Sequence, residues 1–138
     1  MTKEKLELSI SSYCAGQPDI IACYLYGSRS TGMEQTGSDV DLAFLLNYST
    51  PKSSYGIRKM DYYGELSKIT RKEIHILIMN EAGELVLGEV LRDGIPLFIR
   101  NIEEVENFRA RKIPLIAEFT YYSELFRTKL VERYGGVS

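Results

Sequence analysis

Two short stretches of the chain combine residue types that chemistry needs. The first is Gly27-Ser28-Arg29-Ser30-Thr31-Gly32, which follows an apolar run at 20–26. A strand ending in Gly-Ser lets the backbone turn sharply without a Cβ clash. The residues after it can open a helix whose free N–H groups face an anion, with the Ser28 hydroxyl as an added donor. That is a phosphate cradle. The second stretch is Ser38-Asp39-Val40-Asp41-Leu42. On a strand, Asp39 and Asp41 project from one face while Val40 and Leu42 turn toward the core. Carboxylates about 6–7 Å apart along a strand can share hard cations, Mg²⁺ in particular, with phosphates supplying further oxygens. A cradle beside such a pair suits metal-assisted phosphoryl or nucleotidyl transfer.

Taken singly, neither feature is specific. Gly-Ser is usually a plain turn, and a lone Asp-x-Asp is more often a solvated face than a metal site. At the end of one apolar strand and the start of the next, the pair says far more. Two acids in an otherwise apolar strand also cost stability unless a cation or hydrogen bonds satisfy them.

The elements that must position these residues follow from the apolar periodicity. Thr2 can cap a first helix that puts Leu6, Ile10, Tyr13 and Cys14 on one face and ends at Gly16 and Pro18. Residues 20–26 and 39–46 read as strands. Residues 53–70 read as a helix with Ile57, Met60, Tyr63, Leu66 and Ile69 on a rough stripe. Residues 73–79 form a third strand, and Asn80 can cap a helix ending near Gly94. Residues 96–100 suit a short edge strand, where Pro96 is tolerated. Residues 103–133 read as a mostly helical tail broken near Pro114, with Leu115, Phe119, Tyr122, Phe126 and Leu130 marking its apolar face. The order describes an α/β (α+β) domain with one small mixed sheet flanked by helices.

Length and composition narrow the setting. The chain has 138 residues and 15.7 kDa, enough for a single domain over 1–138, with a helical tail from 103, and too little for two. Seventeen Lys and Arg against nineteen Asp and Glu leave a net charge of −2, without the basic excess of a protein that neutralises many phosphates, so long nucleic acid is disfavoured. Cys14 and Cys23 are too few for a disulfide framework and lack zinc-site spacing. The charged N-terminus and the absence of a long apolar run argue against a signal peptide or membrane span. A cytoplasmic setting with reduced thiols is expected, which leaves the Asn47-Tyr48-Ser49 glycosylation pattern as chance.

Gly27-Ser28, Gly32 and Ser38-Asp39-Val40-Asp41-Leu42 resemble the signature of the DNA polymerase β-like nucleotidyltransferases, and among short chains the minimal nucleotidyltransferase group. The likeness in element order extends over nearly the whole chain, although the motif covers only about sixteen residues. It implies the nucleotidyltransferase fold, a bound nucleoside triphosphate (ATP), and transfer of a nucleotide to an acceptor hydroxyl. It implies Gly27, Ser28, Arg29 and Ser38 on the nucleotide side, and Asp39 and Asp41 as metal carriers for Mg²⁺, with Mn²⁺ an alternative. Many minimal members are antitoxins paired with a helical HEPN-type toxin, and some adenylylate that toxin on tyrosine. The expected partner is therefore a toxin protein.

The chain departs from the family at a third acid. The matching segment is Ile74-His75-Ile76-Leu77, so His75, the only histidine of the chain, stands at the acid position. Alternation puts Ile74, Ile76 and Ile78 on one face and Glu73 with His75 on the other. If this strand pairs with the motif strand, His75 shares the polar side with Asp39 and Asp41. Three roles compete: a general base, a metal ligand better suited to Mn²⁺ or Zn²⁺ than to Mg²⁺, or the mark of a weakened site in a non-catalytic nucleotide- and partner-binding antitoxin. Glu73 is a poorer substitute for the acid, one pleat repeat away. Arg29 at a helix start is as often solvated as phosphate-bound. The tail bases, interspersed with acids, suit a partner-facing or solvated surface better than a nucleic-acid groove, and most of the ten tyrosines suit core or interface.

Overall fold

The computed structural model describes residues 2–27 and 39–135. Helix α1 (Lys3–Ala15) starts where the Thr2 hydroxyl accepts from the Lys5 amide at 3.2 Å. It buries Leu6, Ile10 and Cys14, spaced one turn apart. Strands β1 (Ile20–Tyr26) and β2 (Val40–Leu46) are covered on both faces, which explains their nearly unbroken apolar sequence. Helix α2 (Tyr55–Thr70) crosses over to β3 (Ile74–Ile78), so β2 and β3 run parallel. Helix α3 (Glu84–Asp93), strand β4 (Ile95–Ile99) and the long α4 (Ile102–Leu130) complete the order, with one π-helical turn at Val131–Gly135.

The sheet has the order β3-β2-β1-β4, with β1 antiparallel to both β2 and β4. It is the small mixed sheet that the sequence leads one to expect, and Pro96 lies on an edge strand. One apolar cluster fills the α1/α2 face and includes Ile10, Leu42, Phe44, Leu66 and Ile78. The other fills the α3/α4 face with Ala43, Leu45, Leu87, Val90 and Phe108. Phe44 packs on Tyr62 with ring centroids 5.1 Å apart. Arg100 ties the layers together: its Nε donates to the carbonyl of Ile20 at 2.9 Å, and its Nη2 to those of Cys14 (3.0 Å), Ala15 (3.2 Å) and Gln17 (3.0 Å). These carbonyls lie at the end of α1 and the entry to β1, where those of Cys14 and Gln17 also accept from the Gln17 and Ile20 amides.

Three local expectations are corrected. The face of α2 that is buried carries Tyr55, Tyr62, Leu66 and Thr70, whereas Ile57, Met60, Tyr63 and Ile69 are exposed. Tyr62 wins the core position because it packs tilted against Phe44 and edge-on to Tyr13. Asn80 does not cap α3, which starts after Gly83. Its amide instead brackets the end of β2, accepting from the Leu46 amide at 2.8 Å and donating to the Leu46 carbonyl at 3.0 Å. The helix also runs through Pro114 without a break. Pro114 removes a donor to the Ala110 carbonyl, but both residues are exposed, so water can satisfy it. The apolar face that the spacing marks on the tail is not covered among the described residues: Phe119, Tyr122, Phe126 and Leu130 are all exposed.

Candidate active site

The expected chemistry gathers at one end of the sheet, where β1 finishes and β2 and β3 begin. Alternation along β2 sends Val40, Leu42 and Phe44 into the α1/α2 core and Asp41 to the opposite face. The parallel register pairs Asp41 with His75, and the antiparallel register pairs Asp41 with Tyr26. Asp41 is therefore flanked on both sides within the sheet. Ile74 and Ile78 are buried on the far face and Ile76 packs beside them, which holds His75 on the polar side, as its alternation predicts.

The imidazole of His75 stands between the two acids. Its Nδ1 is 3.0 Å from Asp41 Oδ1, and its Nε2 is 3.4 Å from Asp39 Oδ2. An ionised carboxylate offers only acceptors, so Nδ1 is the donor toward Asp41. The Asp41 side chain is 28% exposed, against 51% for Asp39 and 53% for His75. Asp41 is thus the sheltered member of the group and Asp39 the one facing outward.

Gly27 closes β1 with φ +76°, a conformation that suits glycine. A Cβ there would stand 2.6 Å from Asp41 Oδ2. The absent side chain leaves the space that the Asp41 carboxylate occupies, so one motif is shaped to receive the other. Ser28, Arg29 and Ser38 lie outside the described residues. Glu73 faces a different neighbour, for its carboxylate accepts from the Tyr63 hydroxyl on α2 at 3.2 Å. Tyr26 and, on α3, Glu89 join the site without having been singled out in the sequence. Burial first, then the nearby Asp41 and Glu89 charges, pushes the Tyr26 phenol up to about 12, so it stays a neutral hydrogen-bonding group. Its position as the last residue before the motif glycine was the available signal.

Two hard oxygen donors on one face, with a glycine that lets Asp41 sit against the backbone, fit a divalent cation. Among the described residues, no three acidic, histidine or cysteine side chains converge as a ready-made metal group. Each nitrogen of His75 is turned to a different carboxylate. No helix among the described residues is long and apolar enough to cross a membrane.

A four-stranded mixed sheet between helix layers, with paired acids opposite a strand-terminal glycine, defines a small nucleotidyltransferase. The chain belongs to the polymerase beta, nucleotidyltransferase family, which matches residues 9–103. Members of that family generally use divalent metals. The chain is also 29% identical over 114 residues to the protein adenylyltransferase MntA of Aphanizomenon flos-aquae (strain 2012/KM1/D3), covering 77% of this chain and 73% of that one. Its fold is similar to that in a toxin–antitoxin crystal structure with AMP-PNP, with TM-score 0.71, 17% identity, and 94% of this chain and 99% of that one covered. It is likewise similar to a chain in a complex of tri-AMPylated Shewanella oneidensis HEPN toxin with MNT antitoxin, with TM-score 0.66, 15% identity, and 91% and 98% covered.

Proposed function

We propose that this chain is an antitoxin that transfers AMP from ATP to a hydroxyl of a HEPN-type toxin protein in the cytoplasm. The observation that carries this reading is the fit of the Asp41 carboxylate into the space left by Gly27, with Asp39 beside it. The adenylyltransferase relative and the AMPylated toxin complex support the choice of nucleotide and acceptor.

The reaction is an in-line attack of the acceptor oxygen on the α-phosphorus, with pyrophosphate leaving. Asp39 and Asp41 would hold Mg²⁺, with Mn²⁺ also compatible, which when bound neutralises charge on the phosphate oxygens. Gly27 lets the chain turn closely past the triphosphate, and Ser28, Arg29 and Ser38 are assigned to the same cradle. His75 is assigned to accept the acceptor hydroxyl's proton, a task that imidazole chemistry suits. Tyr26, neutral and in register with Asp41, stands beside that carboxylate. Positioning of this kind, with charge compensation, is the larger part of phosphoryl-transfer catalysis.

A second reading is favoured by one observation: an imidazole fills the place between the acids. On that reading the chain is a non-catalytic antitoxin that binds nucleotide and partner over a degenerate metal site. Asp41→Asn separates the two. If transfer neutralises the toxin, co-expressing the variant with the partner leaves growth arrested. If binding alone suffices, the variant protects as well as the wild type, and the enzymatic reading fails.

A further inference from the structure

We propose that His75 is a positioning residue that occupies the gap between Asp39 and Asp41 until a divalent cation displaces it, and so lowers the cation affinity of the pair. The inference deepens the nucleotidyltransferase reading and rests on it. Its basis is the bridge itself, with Nδ1 at 3.0 Å from Asp41 Oδ1 and Nε2 at 3.4 Å from Asp39 Oδ2. One ring lies against both acids, hydrogen-bonded to Asp41 and 3.4 Å from Asp39. An ion held about 2.0–2.1 Å from Asp41 Oδ1 and Asp39 Oδ2 would take the same two oxygens that face the ring. The ring and the shared ion are therefore alternatives.

The surroundings permit the exchange. The His75 side chain is 53% exposed, so it has solvent to swing into without moving the core. The Asp41 side chain is the more sheltered partner, 28% exposed beside Gly27 and in register with Tyr26. A ligand role for His75 makes the opposite prediction, since removing a ligand weakens binding. The two roles thus differ in sign and not merely in degree.

The test is Mn²⁺ binding to the full chain without nucleotide, followed by electron paramagnetic resonance, in wild type, His75→Ala and His75→Asn. Half-exposed polar contacts of this type contribute modestly, so His75→Ala is expected to bind Mn²⁺ about two- to fivefold more tightly. His75→Asn, which keeps a donor, falls between. Unchanged or weaker binding in His75→Ala overturns the proposal. A second readout uses the wild type alone. His75 is the only histidine, so its ring protons are unambiguous in NMR spectra. Mg²⁺ should shift them along the binding curve, and signals that stay fixed while Mg²⁺ binds overturn the proposal too. Failure of the wild type to transfer a nucleotide to its partner would instead sink the functional reading and leave these affinities standing.

Discussion

Gly27→Ala separates the structural from the chemical role of the strand-terminal glycine. Two effects act at that position. The residue sits at φ +76°, where an L side chain costs about 1–2 kcal/mol. A methyl group would also lie 2.6 Å from Asp41 Oδ2. Ordinary contact begins at about 3.4 Å, so the carboxylate must withdraw by roughly 0.8 Å. The crowded atom is the tip of a flexible side chain, so the carboxylate gives way before the backbone does. The stability cost is therefore mainly the dihedral strain, about 1–2 kcal/mol, or a melting temperature lower by about 3–6 °C for a domain of this size. The functional cost is larger. A displacement near 1 Å in a reacting constellation costs about 100-fold in rate. The assays are thermal unfolding by circular dichroism and transfer of label from ATP to the partner, run on the same preparations. A variant that loses the stability but transfers at the wild-type rate would refute the claim that Gly27 places Asp41. A variant that loses neither would refute the strain argument as well.

Arg100→Lys should destabilise by about 1–2 kcal/mol in chemical denaturation, because one ammonium cannot reach the four carbonyls the guanidinium serves. Arg71→Gly should stabilise by about 0.5–1 kcal/mol in the same assay, since Arg71 ends α2 at φ 57°, where glycine is the usual residue. Burial, as the leading cause, raises the phenols of Tyr13 and Tyr26 to about 12 from their ordinary value of 10.0. The unfolded chain thus loses these protons first as pH rises. The stability they confer is complete below pH 10 and is lost as the pH climbs toward 12. Denaturant midpoints followed across that window should fall, and a flat profile would contradict the burial.

Much of the site was legible because period and composition agreed there. The alternation of Asp39 and Asp41 with Val40 and Leu42, and of His75 with Ile74 and Ile76, placed all three polar groups on one face. The parallel register then brought His75 opposite Asp41. What the sequence could not convey was the bridging pose of the ring, which depends on two side-chain rotamers and on Gly27. The misread helix face has a similar origin. Ile57 and Met60 are more apolar than Tyr62, but Tyr62 reaches Phe44 across the layer, and periodicity alone does not weigh such a contact. Pro114 looked like a break because its missing donor was counted without the exposure of Ala110. Asn80 was available as a cap until the end of β2 took both ends of its amide. The tail's apolar face was read correctly as a stripe, but its lack of cover within the chain is a property of the tertiary arrangement.

The central claim, that the Asp39/Asp41 pair directs a nucleotide onto a protein partner, is tested most directly by intact-mass measurement of the HEPN-type partner. The partner is purified after co-expression with this chain, and again after co-expression with Asp39→Asn plus Asp41→Asn. The account predicts a partner heavier by one or more AMP groups with the wild type and of unmodified mass with the double variant. A partner of unmodified mass in both, bound and neutralised all the same, would contradict it.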